Sequence, residues 1–445
     1  MDSLLPLLGE PTPLPWPQVL TLLVCRVADP LSFTVLFPFV YFMVKDFHLT
    51  ENDGEVGFYV GFIASSFAVA QTMSGIPWGM LSDRIGRRPV ILMGLVGTSI
   101  SLFMFGLSKS LPWAIVTRSM CGLLSGNVGV IKSAMAELTD STNRAKGFSL
   151  LPMAGGVGAI IGPVLGGFLA NPVQKYPALF GQGLLRNILL EYPYLLPCAL
   201  CSFVIGMSAI TGYVYFEETH KKENEFEGRS QGEGGIFELP IQSWISIVCF
   251  GGMSFQTVVQ SELVPLWLAT PTQLGGLGFT SSNIGSLISF SGIALLAIQL
   301  TLYTPIHQRL GTLLVYRNSF LLYAANVLMF PSISFLADTS YEWLLWPTLL
   351  AFVGVRTGIN VFIRTSANLM LVEACPDKRV LGKVNGISQT VGSMMKSLGP
   401  ALCGLIFSWS LSNESSLPFL KASLMWEILS LIAVLNFAMS FKLSK

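Results

Sequence analysis

Charged side chains are scarce in this chain. Asp, Glu, Lys and Arg make up 11% of its 445 residues, whereas soluble globular proteins carry about 25%. Hydrophobic residues make up 52% of the sequence. So little charge beside so much apolar surface indicates a polytopic membrane protein and excludes a soluble domain.

The chain also lacks what several other protein classes need. Its net charge of +1 leaves no basic surplus for phosphates, so we expect no nucleic-acid partner. It contains three histidines without metal-ligand neighbours and no G-x(4)-G-K-[ST] sequence, so neither a metal centre nor an ATP-driven pump is predicted. Cys198 and Cys201 have C-x-x-C spacing without a second pair, and we interpret them as apolar helix residues. We expect no cofactor.

Apolar segments long enough to cross a bilayer recur along the whole chain, since a crossing needs about 20 residues. Twelve of them lie near 19–44, 57–81, 89–108, 112–137, 147–170, 190–216, 241–269, 281–303, 312–335, 343–372, 383–410 and 422–441. The polar stretch 217–240 has the composition of a flexible linker. The sequence therefore predicts an all-α membrane protein with six helices in residues 1–216 and six in residues 241–445.

The distribution of basic residues predicts the orientation. With a cytosolic N-terminus, 15 of the 26 Lys and Arg fall in inner loops or the C-terminal tail, 5 in outer loops and 6 within spans. Short basic loops stay in the cytosol, so we expect both termini inside. The sequon at Asn413 then lies in an outer loop, which makes this residue a glycosylation candidate.

The two halves repeat each other. The fifth and eleventh spans share glycines and a proline at an offset of 237, and the fourth and tenth share an Arg and a Glu at offsets of 238 and 236. The matched residues are Gly155, Gly162, Pro163 and Gly167 with Gly392, Gly399, Pro400 and Gly404, and Arg118 and Glu137 with Arg356 and Glu373. Such repeats predict two parallel halves related by an axis along the membrane normal.

The most informative stretch is 79–89, with the pattern G-x-L-x-D-R-x-G-R-R-P. It lies between two apolar segments, so we predict a very short cytosolic loop. Asp83 can pair with a neighbouring arginine or a helix N-terminus. We predict that this carboxylate holds the inner face closed against helix ends of the second half. The predicted gate residues are Gly79, Asp83, Arg84, Gly86, Arg87, Arg88 and Glu137.

A second pattern, G-x(6)-G-P-x-x-G-G, covers residues 155–167. Repeated glycines allow close helix contact, and a proline inside a span can bend it. Both effects suit a helix that seals the interface between the halves, although generic small-residue packing also explains the glycines. The residues concerned are Gly155, Gly158, Gly162, Pro163, Gly166 and Gly167.

Ionisable residues within spans are the candidates for chemistry, because inserting each costs about 2.5–3.5 kcal/mol. Arg26 and Asp29 share a helix face, so Asp29 is either a proton or cation acceptor or half of a structural ion pair. Arg118 either acts on a neighbouring carboxylate or packs helices. The candidates for proton coupling or the substrate cavity are Arg26, Asp29, Arg118, Glu262, Arg356 and Lys396. The surplus of cations suits an anionic substrate group, or serves to keep Asp29 ionised.

These patterns resemble those of the major facilitator superfamily. Residues 79–89 resemble its loop 2–3 signature, Arg118 with Gly122 and Gly126 its fourth-span motif, and residues 155–167 the fifth-span motif associated with antiporters. The chain looks like a drug:proton antiporter with twelve spans. More narrowly, it resembles the zinc-induced-facilitator-like group of plants and fungi in residues 78–79, 171–177, 192–193, 196–198 and 382–389.

The resemblance implies a secondary transporter that works by alternating access. It implies proton antiport that exports a small organic molecule, drug, chelator or cation, although a histidine-rich loop is missing and direct zinc handling is not implied. We expect a monomer in the plasma or vacuolar membrane, and no enzyme, since no catalytic constellation is present. A uniporter or proton symporter, or a non-transporting sensor on the same fold, are the alternatives.

Overall fold

The computed structural model describes residues 12–140, 142–180, 182–219, 239–337, 342–374, 378–412 and 422–443. These residues form helices that cross the predicted membrane region twelve times, and none of the described residues lies in a strand. Residues 12–219 are called the first half below, and residues 239–443 the second half. Asn413 and residues 220–238 of the predicted linker lie outside the described residues.

The first half has six crossings, of which the first and fourth are broken helices. The helices are α1 Trp16–Thr34, α2 Val40–Asp46, α3 Val56–Ile85, α4 Arg87–Gly106, α5 Leu111–Leu124, α6 Asn127–Leu138, α7 Arg144–Leu169, α8 Pro172–Lys175, α9 Pro177–Phe180, α10 Gly183–Glu191 and α11 Leu195–Tyr215. Helices α1 and α2 form the first crossing, and α5 and α6 form the fourth. The short helices α8 to α10 lie between the fifth and sixth crossings.

The second half repeats this arrangement. Its helices are α12 Ile241–Ala269, α13 Ser281–Thr301, α14 Tyr303–Leu310, α15 Thr312–Met329, α16 Glu342–Glu373, α17 Lys378–Ser412 and α18 Leu424–Ser440. Helix α14 continues the crossing begun by α13. The predicted number of crossings is therefore confirmed.

The predicted loop at residues 79–89 is wrong in extent, because it is almost entirely helical. Helix α3 ends at Ile85 and α4 begins at Arg87, so Gly86 alone separates them. Its φ of +103° lies in the left-handed region that favours glycine. The turn before α15 has the same construction, because Gly311 has a φ of +75°. The two halves thus share this backbone turn.

Side-chain packing shows the same repeat. The guanidinium carbon of Arg118 lies 5.4 Å from the ring centroid of Phe105, and that of Arg356 lies 5.5 Å from the ring centroid of Phe330. Each arginine thus packs over the phenylalanine in the equivalent helix of its own half. The fold is the predicted one, an all-α membrane protein with two pseudo-symmetric six-helix halves.

The halves meet along two seams, α7 with α13 and α3 with α17. A Cβ atom added to Gly167 would lie 2.6 Å from Gly285 Cα, and one added to Gly404 would lie 2.4 Å from the carbonyl oxygen of Gly57. Only glycine allows the backbones to approach this closely. We call this the sealed end of the molecule.

At the other end the halves separate. A Cβ added to Gly75 or Gly79 on α3, or to Gly386 on α17, would have no described atom within 4 Å. We call this the open end, and Gly86 and Gly311 lie there. The structure therefore represents a conformation that is closed at one membrane face and open at the other.

The glycine pattern at 155–167 has two different contacts. A Cβ on Gly158 would lie 2.4 Å from the carbonyl oxygen of Val27 on α1, and Gly162 and Gly166 pack on the same helix. Gly167 instead meets α13 of the second half. Most of this pattern joins α7 to its own half, and only its last residues lie in the seam between halves.

Candidate substrate and proton site

The carboxylate of Asp29 is bound from three elements of the first half. Its Oδ2 lies 3.3 Å from Nη1 of Arg26, which is one turn earlier on α1. Its Oδ1 accepts a hydrogen bond of 2.8 Å from Nε2 of Gln71 on α3 and another from the hydroxyl of Ser125. With 21% of its side chain exposed, Asp29 is both held in place and open to water.

The break in the fourth crossing supplies part of this site. Ser125 and Gly126 separate α5 from α6, so the backbone there is not held in a continuous helix. Nε2 of Gln71 also contacts the carbonyl oxygen of Ser125 at 3.2 Å. Interrupted helices in membranes are tolerated where side chains satisfy the freed backbone groups, often beside a polar cavity.

Four cations, Arg26 and three others, form an interacting group that includes this carboxylate. Lys132 on α6, Arg364 on α16 and Lys396 on α17 are exposed although they lie inside membrane-crossing segments. The charges of Arg26 and Arg364 act on Lys132, and those of Arg364, Asp29, Lys132 and Arg26 act on Lys396. Because the two halves both contribute, these side chains line one water-accessible cavity between them rather than facing lipid, where each charge would be costly.

Arg118 is elsewhere. It is fully buried behind the cavity. Its Nη1 donates a hydrogen bond of 3.0 Å to the carbonyl oxygen of Ser32, and its guanidinium carbon lies 4.6 Å from the ring centroid of Phe67. Among the described residues it forms no ion pair with a carboxylate. In this conformation Arg118 packs between helices, and its role in proton coupling stays a prediction.

Arg356 and Glu262 also lie apart from the cluster around Asp29. Arg356 packs over Phe330, and its Nε and Nη1 have no hydrogen-bond partner among the described residues. Glu262 is 1% exposed. Neither charge is among those that act on Lys396. In this conformation the two residues lie apart from Asp29, and their assignment to proton coupling or the substrate cavity stays a prediction.

Gln71 and Ser125 did not stand out in the sequence, and neither did the proximity of Lys132 and Arg364. All four are polar residues in apolar segments, and the dipeptide Ser125-Gly126 marks the helix break. The sequence contains these signals, but similar residues occur on many other helix faces. Which of them meet at Asp29 depends on how the helices pack.

The predicted gate residues form a network within the first half. Nη1 of Arg87 lies 2.6 Å from Oδ1 of Asp83, and its Nη2 lies 2.9 Å from Oε1 of Glu137. Glu218 accepts hydrogen bonds from the backbone N–H groups of Arg87 and Arg88, at 2.8 and 3.1 Å. These contacts tie α3, α4 and α6 to the chain that follows α11. Asp83 contacts none of the described second-half residues, so its predicted closing role belongs to another conformation and stays a prediction.

The remaining gate residues have simpler surroundings. Arg84 is exposed, and Gly79 faces the open end. A Cβ on Gly86 would lie 2.3 Å from Oε2 of Glu218. This glycine is therefore needed for the hydrogen bonds of Glu218 to the first residues of α4 as well as for the turn. In the described part of the chain, no group of three or more His, Cys, Asp and Glu could hold a metal ion.

The fold and the cavity define the class of protein. Two pseudo-symmetric halves enclose a polar cavity that opens to one membrane face, which is the architecture of a secondary transporter. Comparisons with known proteins identify the family. The profile of the Major Facilitator Superfamily matches residues 22–400. The chain belongs to this superfamily, whose members are transporters and not enzymes.

Similar proteins include transporters of fungi and plants and proteins whose structures have been solved. The chain is 28% identical to the major facilitator superfamily multidrug transporter mfsB of Aspergillus fumigatus, over 95% of this chain and 83% of that protein. It is 30% identical to the protein ZINC INDUCED FACILITATOR-LIKE 1 of Arabidopsis thaliana, over 96% and 91%. A crystal structure of a D-xylose-proton symporter has a TM-score of 0.73 at 15% identity, over 97% and 98%. The resemblance to zinc-induced-facilitator-like proteins is confirmed.

Proposed function

We propose that this protein is a proton-coupled transporter of a small organic molecule that bears a negatively charged group. The observation that carries the proposal is the charge of the cavity, where four interacting cations are grouped with one carboxylate. A cavity lined by one sign of charge concentrates ligands of the opposite sign. Among the substrates that the sequence allows, an anionic molecule or chelator fits this cavity better than a cation.

Asp29 is the proton acceptor in this proposal. Its carboxylate is stabilised by Arg26, Gln71 and Ser125, which belong to three separate elements. A proton on Asp29 removes the charge that pairs with Arg26 and changes the hydrogen bonding of all three elements. Proton binding can therefore act on the packing of α1, α3 and the break after α5, the region that must rearrange during alternating access.

The sign of the coupling follows from charge. An anion in the cavity makes protonation of Asp29 easier, so proton and anion bind cooperatively and would move together in symport. A positively charged substrate would compete with the proton, as antiport requires. Antiport export is the mode that the sequence pattern predicts. The cavity itself favours symport of an anion, the alternative raised from the sequence.

The orientation and location are also proposals. In this proposal the open end, with its basic residues, faces the cytosol, both termini are cytosolic and the conformation is open to the inside. The protein acts as a monomer in the plasma or vacuolar membrane, and the halves are the functional units joined by residues 217–240.

Transport by purified protein in vesicles tests the proposal. A pH gradient is imposed, and uptake of citrate, malate and an anionic dye is measured. Symport moves the anion in the direction of proton flow, and antiport moves it against that flow. Asp29→Asn should still exchange the anion across the membrane. Its pH-driven accumulation of the anion should be at least about tenfold lower, which corresponds to a loss of about 1.4 kcal/mol of coupling free energy.

The matched control is Glu51→Gln, which neutralises an exposed loop carboxylate. It should accumulate the anion as the unmodified protein does. Full pH-driven accumulation in Asp29→Asn contradicts the role given to Asp29. Uptake of cations in preference to all three anions contradicts the substrate class.

A further inference from the structure

Glu262 is an isolated carboxyl group deep in the second half. It is 1% exposed, and neither Oε1 nor Oε2 has a hydrogen-bond partner among the described residues. It forms no ion pair with any described side chain. An ionised carboxylate is not stable in such surroundings, because nothing replaces the water it has lost.

The location of Glu262 explains how the group can still meet water. It precedes Leu266 by four residues on α12, so both side chains lie on one helix face. A Cβ on Gly57 of the first half would lie 3.3 Å from Cδ2 of Leu266 and 3.3 Å from Cδ1 of Phe407. This face of α12 therefore points to the seam between the halves, and Glu262 lies about one turn, or roughly 6 Å, inside the seal that Leu266 makes.

The helix packed against Glu262 supports the same location. Cys403 on α17 is the titratable group on which the charge of Glu262 acts, and its thiol lies 3.9 Å from the carbonyl oxygen of Val259. The next residue, Gly404, is one of the seam glycines, and a Cβ there would lie 2.9 Å from Gly61 Cα on α3. Glu262 therefore lies where α12, α17 and α3 converge at the sealed end. The facing part of α3 supplies glycines and no charged group.

We infer that Glu262 is a second proton-binding site, which carries a proton while the sealed end is closed and exchanges it with the solution on that side when the end opens. Asp29 and Glu262 then serve opposite faces of the membrane. Asp29 is reached from the open end, and Glu262 is reached from the other face after the seam at Gly57 and Gly404 parts. Only protonation and deprotonation of the carboxyl are required, so no other reactant is involved.

This inference rests on the proposed proton coupling, but its test does not use transport. Infrared spectroscopy of the purified protein in lipid nanodiscs at pH 7 detects the C=O stretch of a protonated carboxyl. We expect this band in the unmodified protein, its loss in Glu262→Gln, and its presence in Asp29→Asn. Loss of the band in Asp29→Asn, or an unchanged band in Glu262→Gln, overturns the assignment. Failure of pH-driven transport with this band intact contradicts only the proposed function.

A variant at the seam tests the access route without altering the carboxyl. In Gly61→Ala the new Cβ would lie 2.8 Å from the carbonyl oxygen of Pro400, so α3 and α17 must separate at the sealed end. Glu262 then meets water, where a carboxyl ionises near pH 4.3, and the band at pH 7 should fall at least about tenfold. Gly75→Ala is the control on the same helix, because its new Cβ would have no described atom within 4 Å. A full band in Gly61→Ala, or equal loss in Gly75→Ala, overturns the access route.

Discussion

The two halves use the same backbone turn with different chemistry. Gly86 and Gly311 both have positive φ and both precede a helix at the open end. In the first half the following residue is Arg87, which pairs with Glu137 at 2.9 Å. In the second half it is Thr312, whose hydroxyl donates to Glu373 at 2.6 Å. The second network is completed by His307, whose Nε2 lies 3.0 Å from the Thr312 hydroxyl, so a hydroxyl stands where the first half has a guanidinium.

The membrane-centre regions of the two halves also differ in chemistry at equivalent positions. A Cβ on Gly155 would lie 3.5 Å from Nη2 of Arg26, whereas one on the equivalent Gly392 would lie 3.0 Å from the ring of Phe250. The charged helix face that binds Asp29 thus has an aromatic counterpart. The second half supplies its cations from α16 and α17 instead, through Arg364 and Lys396. The repeat therefore governs helix packing, while the binding chemistry arises where the halves differ.

The largest effect is expected at the seams, where the halves are most alike. Gly167→Val and Gly404→Val both place side-chain atoms inside facing backbone, at 2.6 Å from Gly285 Cα and 2.4 Å from the carbonyl oxygen of Gly57. Overpacking costs about 1–3 kcal/mol, which disfavours the sealed conformation about 5- to 150-fold. Distances between spin labels across the two seams should lengthen in both variants. Gly75→Val, whose added side chain enters open space, should leave these distances unchanged. An unchanged distance in either seam variant would contradict the equivalence of the two seams.

A medium effect is expected at the open end, where the halves differ in charge. Arg87→Met leaves Asp83 and Glu137 without their cation, and removing one partner of a buried pair costs about 3–5 kcal/mol. Because 28% of the Glu137 side chain and 65% of the Asp83 side chain are exposed, water replaces much of the lost pairing, so we expect about 2 kcal/mol here and only about 1 kcal/mol for Thr312→Val. Thermal unfolding in nanodiscs should show a clearly larger drop in midpoint for Arg87→Met. Adding Glu137→Gln should recover part of that drop, and equal drops for the two single variants would contradict the ionic assignment.

The smallest effect concerns pH at one of the two seams. Nζ of Lys175 donates to the carbonyl oxygen of Gly167 and to Oγ of Ser281 at 2.6 and 2.8 Å, which joins the halves, and burial lowers the pKa of this lysine from 10.5 to about 8. The sealed conformation thus binds this proton less tightly than an open one with a solvated lysine. Sealing should therefore strengthen as pH rises from about 8 to about 10.4, the ordinary pKa of a lysine.

The other seam provides the contrast for this measurement. There the hydroxyl of Ser408 donates to the carbonyl oxygen of Gly54 at 2.6 Å, a neutral contact. Spin-label distances across α7 and α13 should shorten with rising pH, and those across α3 and α17 should respond less. Lys175→Met should abolish the response. A response that survives in Lys175→Met assigns the pH effect to another group.

Much of this protein could be predicted from its composition and spacing. Apolar segments of bilayer length determine the number of crossings, because backbone groups in lipid must be paired within helices. The offset between Arg118 and Arg356 indicated the repeat, and both arginines do pack over equivalent phenylalanines. The three-residue spacing of Arg26 and Asp29 was enough to predict their ion pair, because neighbours on a helix face are set by local geometry alone.

Only the tertiary structure decided which polar residues act together. Lys132, Arg364 and Lys396 come from three helices in two halves, and no local rule relates their directions. Glu262 and Arg356 belong to the same class of intramembrane residue as Asp29, yet the helix faces they occupy place them away from it. The stretch at 79–89 shows the same division. Its glycines and charges identified the family, but the one-residue turn at Gly86 and its cap by Glu218 depend on contacts between segments 130 residues apart.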